Sequence, residues 1–594
     1  MAFDGIVAKS IVLELQKNIV TGKINKIFEP SKNEIILGIY SNGKNFALNI
    51  CIDSSNCRIN LTTKSKPNPL NAPNFCMLLR KHIIGYRIKS IDMFDLERII
   101  TIDLEGYNEL NDLTSKKLII ELMGKHSNII LINEKNYIID SLRHIDFSSN
   151  SYREILPLRQ YEFPKCTKKS FVDLDDFNEF KHILENSNSS LENSIQNNFN
   201  GISQSFIKHI LKKLSINTGE VSKISEKDLN KLYEYIKQII NNLGTNKTNY
   251  IEILNEKSSK DYVIDLIDSI DQEENDLKLN YFIDDFYYVK EQNQNFINYR
   301  NSILKIILNI FKKYTSRLIN INKKLIECDS KDKYKIYGEI ITANLYKIDN
   351  TNLDKITLEN YYDNNSMITI PLDKTISIHN NAKRYFKKYN KLKTALDIVK
   401  VQKRETENEL KYIESIIYSL ENSKDINDVN HIYDEISENI LFKNSLKNNN
   451  EKNSISTKNK HKIKTKNSKI SNSNNNAYIT TPIEYTVNGY TVFVGKNNKQ
   501  NDYIRTKLSN SNDIWFHVKD IQGSHVVLKT NEKEIDNYTL SKCAQIAAYY
   551  SKAKLSSNVP VDYCEIKYVK KPSGAKPGMV IYTNNKTLYV NPKI

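Results

Sequence analysis

Two hydrophobic seams constrain this 594-residue chain more than any other feature. Leu304, Phe311, Leu318 and Leu325 stand seven apart, and Ile307, Tyr314, Ile321 and Cys328 follow each by three. A second seam runs through Tyr385, Tyr389, Leu392, Leu396 and Val399, then Leu410, Ile413, Ile417 and Leu420, with Lys403 and Thr406 interrupting it. A heptad repeat keeps one stripe of a long helix turned toward a partner helix. Two such helices with a globular insert between them predict an antiparallel coiled coil. The alternative is a pair of core helices in a bundle, which the charged flanks disfavour.

The seams divide the rest of the chain. Residues 1–168 read as mixed α/β. Ile6, Val7, Ile11, Val12 and Leu15 lie at helical spacing, and β-branched runs follow at 35–39, 99–102 and 118–122. Residues 128–132 and 137–139 read as a hairpin, and Phe75–Ile84 as a helix after a proline-rich loop. Residues 169–292 read as a helical domain, with Ser203 as the cap of a helix carrying Phe206, Ile207, Ile210 and Leu211. The arm with its middle insert takes 293–442. Residues 443–478, rich in Asn, Ser and Lys, cannot bury a core and are expected to form a flexible basic linker. Residues 479–594 read as a compact α+β domain. Its strands are 490–494 and 526–528, its helix is 539–552, and strands 580–582 and 588–590 form a closing hairpin around Asn584-Asn585.

Charge supplies the first hint of a partner. Eighty-six Lys+Arg against 70 Asp+Glu leave +16, a balance suited to nucleic acid or an acidic membrane surface. The seven cysteines are scattered without a CxxC pair, so neither a disulfide framework nor a zinc knuckle is indicated. The start Met-Ala-Phe-Asp lacks the basic region of a signal peptide, and no run approaches the roughly 20 apolar residues of a membrane span. A cytoplasmic protein is expected. No Walker loop, nucleophile triad or metal-ligand spacing is found, so no catalytic site, metal or cofactor is expected.

Several segments are more specific than composition: Phe3-Asp4-Gly5; Asn74-Phe75-Cys76-Met77-Leu78-Leu79-Arg80-Lys81-His82; Glu121-Leu122-Met123-Gly124-Lys125-His126-Ser127-Asn128. Further on stand Tyr337-Gly338-Glu339, Thr342-Ala343-Asn344-Leu345-Tyr346 and the run from Asn381 to Lys393. The last are Gly495-Lys496-Asn497-Asn498, Asn501-Asp502, Asp513-Ile514-Trp515-Phe516-His517 and Gly523-Ser524-His525. In this order they resemble the NFACT family of ribosome quality-control factors (the RqcH/NEMF, FbpA-like proteins). The resemblance implies a multidomain α+β protein. Its parts would be a glycosylase-like N-terminal domain, a helix-two-turn-helix domain, a coiled-coil arm with a small middle domain, and a C-terminal NFACT-R domain.

The resemblance also implies an activity. Such proteins bind large ribosomal subunits obstructed by peptidyl-tRNA and recruit charged tRNA. They support untemplated C-terminal tailing of the nascent chain, with alanine in bacterial members, which marks it for degradation. Peptide-bond chemistry belongs to the ribosome, so the protein acts by positioning. Partners are the large subunit, tRNA and the peptidyl-tRNA-bound chain, with room for a small ribosome-associated helper protein.

The family's acidic-Arg pair, usually Asp-Arg, falls here on Glu97-Arg98. Arg98 can fork to phosphate or a base edge, while the longer Glu97 can accept from an exocyclic amine or hold the arginine. Reversion to Asp is expected to be tolerated. Without the family, the same two residues read as a surface ion pair. Glu121, Met123, Gly124, Lys125 and His126 are the further tRNA candidates. Gly124 allows close backbone approach, and Lys125, His126 and Ser127 offer donors, although a decorated hairpin turn reads the same way. Candidate RNA contacts are Asp4, Arg80, Lys81, Lys496, Asn497, Asn498, His517, Lys519 and His525. Arg80 and Lys81 can equally complement a helix dipole, and Trp515 with Phe516 suits a core.

Two rivals remain. A DNA glycosylase would need an N-terminal proline amine where Ala2-Phe3 stands. A fibronectin-binding surface adhesin, a label carried by family members, would need an export route the sequence does not display.

Overall fold

The computed structural model describes residues 3–594 except 109, 149–151, 175, 188, 218, 244–249, 257–258, 266–277, 349–352, 440–441 and 444–480. The expected linker thus lies outside the described residues, apart from Lys443. Two units are present, Met1–Asn293 and Gln294–Ile594.

In the first unit, α1 (Gly5–Ile19) starts where the Val7 amide donates to Asp4 Oδ1 at 3.1 Å. Then come β1 (Lys23–Ser31), β2 (Glu34–Ser41), β3 (Lys44–Cys51), β4 (Arg58–Leu61), α2 (Asn74–Ile83), β5 (Arg87–Met93), β6 (Ile99–Tyr107), β7 (Leu113–Glu121), β8 (Asn128–Asn133) and β9 (Ile138–Ser141). All nine strands join one antiparallel sheet in the order β4-β3-β2-β1-β5-β6-β7-β8-β9. Strand periodicity makes its two faces different. Ile100, Ile102, Leu104, Leu118 and Ile120 enter the main core with α1, while Ile99, Ile119, Ile130 and Ile132 form a second core with Ile138, Ile155 and Tyr161.

The helices α3 (Phe177–Glu185), α4 (Leu191–Asn198), α5 (Gln204–Lys213) and α6 (Glu226–Asn242) add Phe180, Leu191, Ile195, Phe206, Ile210, Leu232 and Ile236 to the main core. Ser203 caps α5 as expected, accepting from the Phe206 amide at 3.2 Å. The reading of 169–292 as purely helical misses a hairpin, β10 (Tyr250–Glu256) with β11 (Ser259–Asp265).

The first arm helix, α7 (Lys278–Asp329), also begins earlier than expected. Its first turn is capped from α1, because Glu14 accepts from the amides of Leu279 and Asn280 at 3.2 and 3.1 Å. Asn280 and Asp284 then accept from the Leu61 and Thr63 amides at the edge of β4. Glu34, Cys51 and Glu291 lie close enough to hold an ion. However, Arg58 pairs with Glu291 at 2.8 Å, and Lys66 with both carboxylates at 2.6 Å. Burial pushes the Cys51 thiol up to about 11. The group is a neutralised ion-pair network that holds the helix root.

In the second unit, α7 continues against α9 (Ile378–Glu421), and α10 (Ile426–Glu438) closes the base. Ile303, Ile307 and Ile310 share a core with Ile413, Ile416, Ile417 and Leu420, so the near end of one helix meets the far end of the other. The predicted seams turn inward: Ile307, Ile321, Cys328, Leu392, Val399, Ile413 and Leu420 are buried. Thr406 does not interrupt the second seam; it is 1% exposed and occupies a seam position. Between the arms, α8 (Lys331–Ala343), β12 (Lys355–Asn360) and β13 (Ser366–Pro371) build a small core of Tyr337, Ile340, Ile341, Ile370, Ile378 and Ala382. The Phe386 ring packs on bare backbone there, since a Cβ at Gly338 would lie 2.9 Å from it.

The C-terminal part carries β14 (Ile483–Val487), β15 (Tyr490–Val494), β16 (Ile514–Val518), β17 (Val526–Leu528), β18 (Val559–Glu565), β19 (Val569–Lys570), β20 (Ile581–Tyr582) and β21 (Lys586–Val590). Six strands form one sheet, β14-β15-β17-β16-β18-β21, and the helix Asn537–Tyr549 packs on it through Leu540, Cys543 and Ala547. The expected closing hairpin does not form. β20 pairs with β19, and β21 pairs with β18, setting Leu588 opposite Val561. The turn at Asn584 separates two strands that each have a better edge to join.

Candidate nucleic-acid interface

Three distant segments of the first unit meet around Glu97-Arg98. Arg98 Nη1 donates to the Phe3 carbonyl at 3.2 Å. The Gly5 amide donates to the Gly201 carbonyl at 2.8 Å, and the Ser203 amide donates to Asp4 Oδ2 at 3.2 Å. Asn200 Nδ2 donates to Glu97 Oε1 at 3.3 Å. The packing here leaves no room for a side chain. A Cβ on Gly5 would lie 2.2 Å from the Leu96 carbonyl oxygen, and one on Gly201, whose φ is +82°, 2.4 Å from Leu96 Cβ. Asp4 therefore acts as a buried cap and clamp. Burial pushes its carboxyl above the usual range, against the pull of its Ser203 and Val7 hydrogen bonds and the charge of Arg98.

The second candidate segment lies beside this junction. Ile99 pairs with Glu121, and the Leu122 amide donates to the Arg98 carbonyl at 2.8 Å, so the turn at 123–127 leaves the sheet next to Arg98. Gly124 takes φ +61°, and Ser127 Oγ donates back to its carbonyl at 2.8 Å. Arg143 pins the turn, donating to the carbonyls of Lys125 (3.3 Å) and Ser127 (3.1 Å) and to Asn33 Oδ1 (2.8 Å). Backbone geometry is thus held while the Lys125 and His126 side chains stay exposed, and Met123 is half-buried. Such a rigid turn with outward donors suits phosphate or ribose contact.

Glu121 has a different place. It is wholly buried, gripped by Arg153 at 2.8 and 2.6 Å, and it accepts from the Tyr161 hydroxyl at 2.8 Å. It supports the floor under the turn and does not face solvent. Arg80 likewise turns inward, donating through Nε and Nη2 to the Ile27 carbonyl at 2.9 and 2.7 Å, while Lys81 is exposed.

The C-terminal candidates are scattered in role. Asn497 caps the short helix Asn498–Tyr503, accepting from the Gln500 amide at 2.9 Å. Asn498 donates to Glu435 at 3.0 Å and Ser415 at 2.9 Å, and Lys496 pairs with Asp428 at 3.5 Å. Asn498 and Lys496 attach the sheet to the base of the arm, and Asn497 starts the helix that carries Asn498. His525 is buried, stacked edge-on against the buried Trp515, with half-buried His517 parallel to the same ring. Burial lowers both imidazole pKa values, that of His525 well below its ordinary value, and so disfavours their charged forms. Only Lys519 among these presents an exposed cation.

Sequence reasoning did not single out the exposed aromatics of this unit. Phe94, 65% exposed, opens the turn whose carbonyl receives the Glu97 amide at 3.0 Å. Phe163, 56% exposed, packs edge-on against Tyr161, and Lys165 covers the Tyr152 ring at 4.3 Å. Exposed aromatics beside cations suit unpaired bases. Each stands alone in its segment, without periodicity to mark it. Asn200 was missed for the same reason.

Residues 4–455 match the model described as NFACT N-terminal and middle domains, and residues 477–584 the model described as NFACT protein RNA binding domain. The chain is 34% identical over 599 residues to Rqc2 homolog RqcH of Bacillus subtilis (strain 168), covering 100% of this chain and 98% of that protein. It is 30% identical over 596 residues to Rqc2 homolog RqcH of Streptococcus pneumoniae serotype 2 (strain D39 / NCTC 7466), covering 100% and 98%. Among solved structures, the fibrinogen binding protein from Staphylococcus aureus is similar at 25% identity and TM-score 0.41, over 48% of this chain and 99% of that one. With matched models spanning both ends and relatives aligned along its full length, this chain belongs to the NFACT family.

Proposed function

We propose that the protein is a ribosome quality-control factor that recognises large subunits obstructed by peptidyl-tRNA. There it recruits charged tRNA, of the alanine-accepting kind, for untemplated tailing of the stalled chain. Full-length similarity to proteins named Rqc2 homologs and the match to an RNA binding domain support the coarser role. The observation that carries the tRNA reading is the junction in the first unit, where Arg98 and the exposed donors of Lys125 and His126 stand together on pinned backbone. Residues 1–168 with 169–292 would hold tRNA, and the arm and middle insert of 293–442 would reach the subunit. In this reading the chain supplies no catalytic group. It raises the local concentration of an aminoacylated adaptor and leaves bond formation to the ribosome.

The test is direct. Arg98→Ala should reduce tRNA co-purifying with the protein at least tenfold while the protein stays folded, since one charged hydrogen-bonding contact is worth about that factor. Unchanged tRNA recovery would end the assignment. Sequencing the RNA recovered with the unsubstituted protein identifies the tRNA. Among the described residues no helix is long and apolar enough to cross a membrane. Sedimentation with ribosomal subunits, set against surface exposure on intact cells, separates this reading from that of a fibronectin-binding adhesin.

A further inference from the structure

We infer that Asn200, from the helical segment, is a positioning residue of the tRNA site, and that the length of Glu97 is matched to it. The inference rests on the tRNA reading above and adds a residue to which no function has been given.

The geometry singles out this amide. Asn200 lies roughly a hundred residues from Glu97 in sequence, yet its Nδ2 reaches Glu97 Oε1 at 3.3 Å. The same Nδ2 also lies 3.6 Å from Cys166 Sγ, a weaker acceptor than the carboxylate. Its backbone is fixed from two sides: the Asn200 amide donates to the Lys169 carbonyl at 3.0 Å, and the next residue's carbonyl receives the Gly5 amide at 2.8 Å. Asn200 therefore cannot follow the carboxylate if the carboxylate moves.

Its other side-chain atom argues that this contact is kept for position. Asn200 Oδ1 is buried and has no hydrogen-bond partner. A buried acceptor left unsatisfied costs free energy. A carboxylate can only accept, so the amide must present Nδ2 to Glu97 and leave Oδ1 inside. An asparagine placed for stability would satisfy both ends. This one satisfies the end that faces the recognition pair.

The matching of lengths follows. Shortening Glu97 by one methylene withdraws the carboxylate by roughly 1.5 Å, beyond hydrogen-bond reach of an amide that cannot advance. On this inference aspartate does not serve equally, the opposite of what the family's usual residue leads one to expect. With aspartate the carboxylate turns loose beside Arg98, and the adaptor meets an unordered acceptor.

The experiment is a reciprocal length exchange, read as moles of tRNA recovered per mole of full-length protein, with unfolding temperature measured alongside. Glu97→Asp and Asn200→Ala should each lower recovery about five- to tenfold, the size of one hydrogen bond to a charged group. The unfolding temperature should not fall, since Asn200→Ala also removes the unsatisfied Oδ1. The double variant Glu97→Asp/Asn200→Gln, which moves the methylene from one side to the other, should recover most of the loss. Wild-type recovery by Glu97→Asp overturns the inference, as does a double variant no better than Glu97→Asp alone. Arg98→Ala keeps the two levels apart. Loss with Arg98→Ala but not with Glu97→Asp removes only the Asn200 inference, whereas full recovery with Arg98→Ala removes the tRNA reading and this inference with it. Should Asn200→Ala fail to fold, the exchange pair still decides.

Discussion

His517 and His525 stand with Trp515 in one aromatic cluster, ring centroids 5.3 to 5.7 Å apart. Burial disfavours the charged form of both, and for His525 the neighbouring His517 and Arg505 add to it; Asp562 pulls the other way on His517. With folded pKa values below the ordinary value near 6.5, the unfolded chain binds protons first as pH falls. Stability from this cluster is therefore full above about pH 6.5 and is lost progressively below it. Trp515 is the single tryptophan, so its fluorescence reports on this site. Thermal unfolding followed by that signal should show a lower midpoint at pH 5.5 than at pH 7.5; an unchanged midpoint would show that the imidazoles charge without cost. At this scale sequence was a partial guide. Trp515 was legible as core from its apolar neighbours. Glu121 and Asn498 read as site candidates because nothing local reveals that Arg153 and Tyr161, or Glu435, come to meet them.

Among elements, the arm shows how periodicity carries structure. Leu392, Val399, Ile413, Ile417 and Leu420 of the second seam are buried and its other positions half-buried, and Thr406 proves to be one of the buried ones, bonding back to the Gln402 carbonyl at 2.7 Å. A hydroxyl in a buried seam gives less than a methyl of the same shape, and back-bonding slightly weakens a helix. Thr406→Val should stabilise the arm by about 0.5–1 kcal/mol. Calorimetry checks this, and a lowered midpoint would mean that the hydroxyl holds the opposite helix. The hairpin β10–β11 was overlooked although Tyr250-Ile251-Glu252-Ile253 alternates with strand period, because helical segments on both sides set the expectation. The pairing of β20 and β21 was misjudged for another reason. A turn such as Asn584-Asn585 reports a reversal, but the identity of the neighbouring strand is a non-local matter.

For the whole molecule, the excess of 16 positive charges gives the encounter with RNA its range. Contacts to phosphate release counterions, so RNA recovery should fall steeply with salt, by about tenfold or more between roughly 0.1 and 0.3 M. Filter binding across that range measures it. A flat response would mean that base contacts outweigh phosphate contacts. Local arrangement then decides where general attraction becomes specific, and the pinned turn at 123–127 beside Arg98 is such a place.

Sequence by itself determined the two seams of the arm, the β-branched runs at 35–39, 99–102 and 118–122, the start of a helix at Ser203, and which family the motifs resemble. These are properties of residues a few positions apart, which share a turn or a face whatever the remainder does. Only the tertiary structure decided which polar groups are enclosed and which remain exposed. Packing set Asn200 against Glu97, Glu121 against Arg153, and Gly201 against Leu96. Such meetings join segments far apart in the chain, and they are fixed by close packing and hydrogen-bond satisfaction, which leave no periodic trace along it.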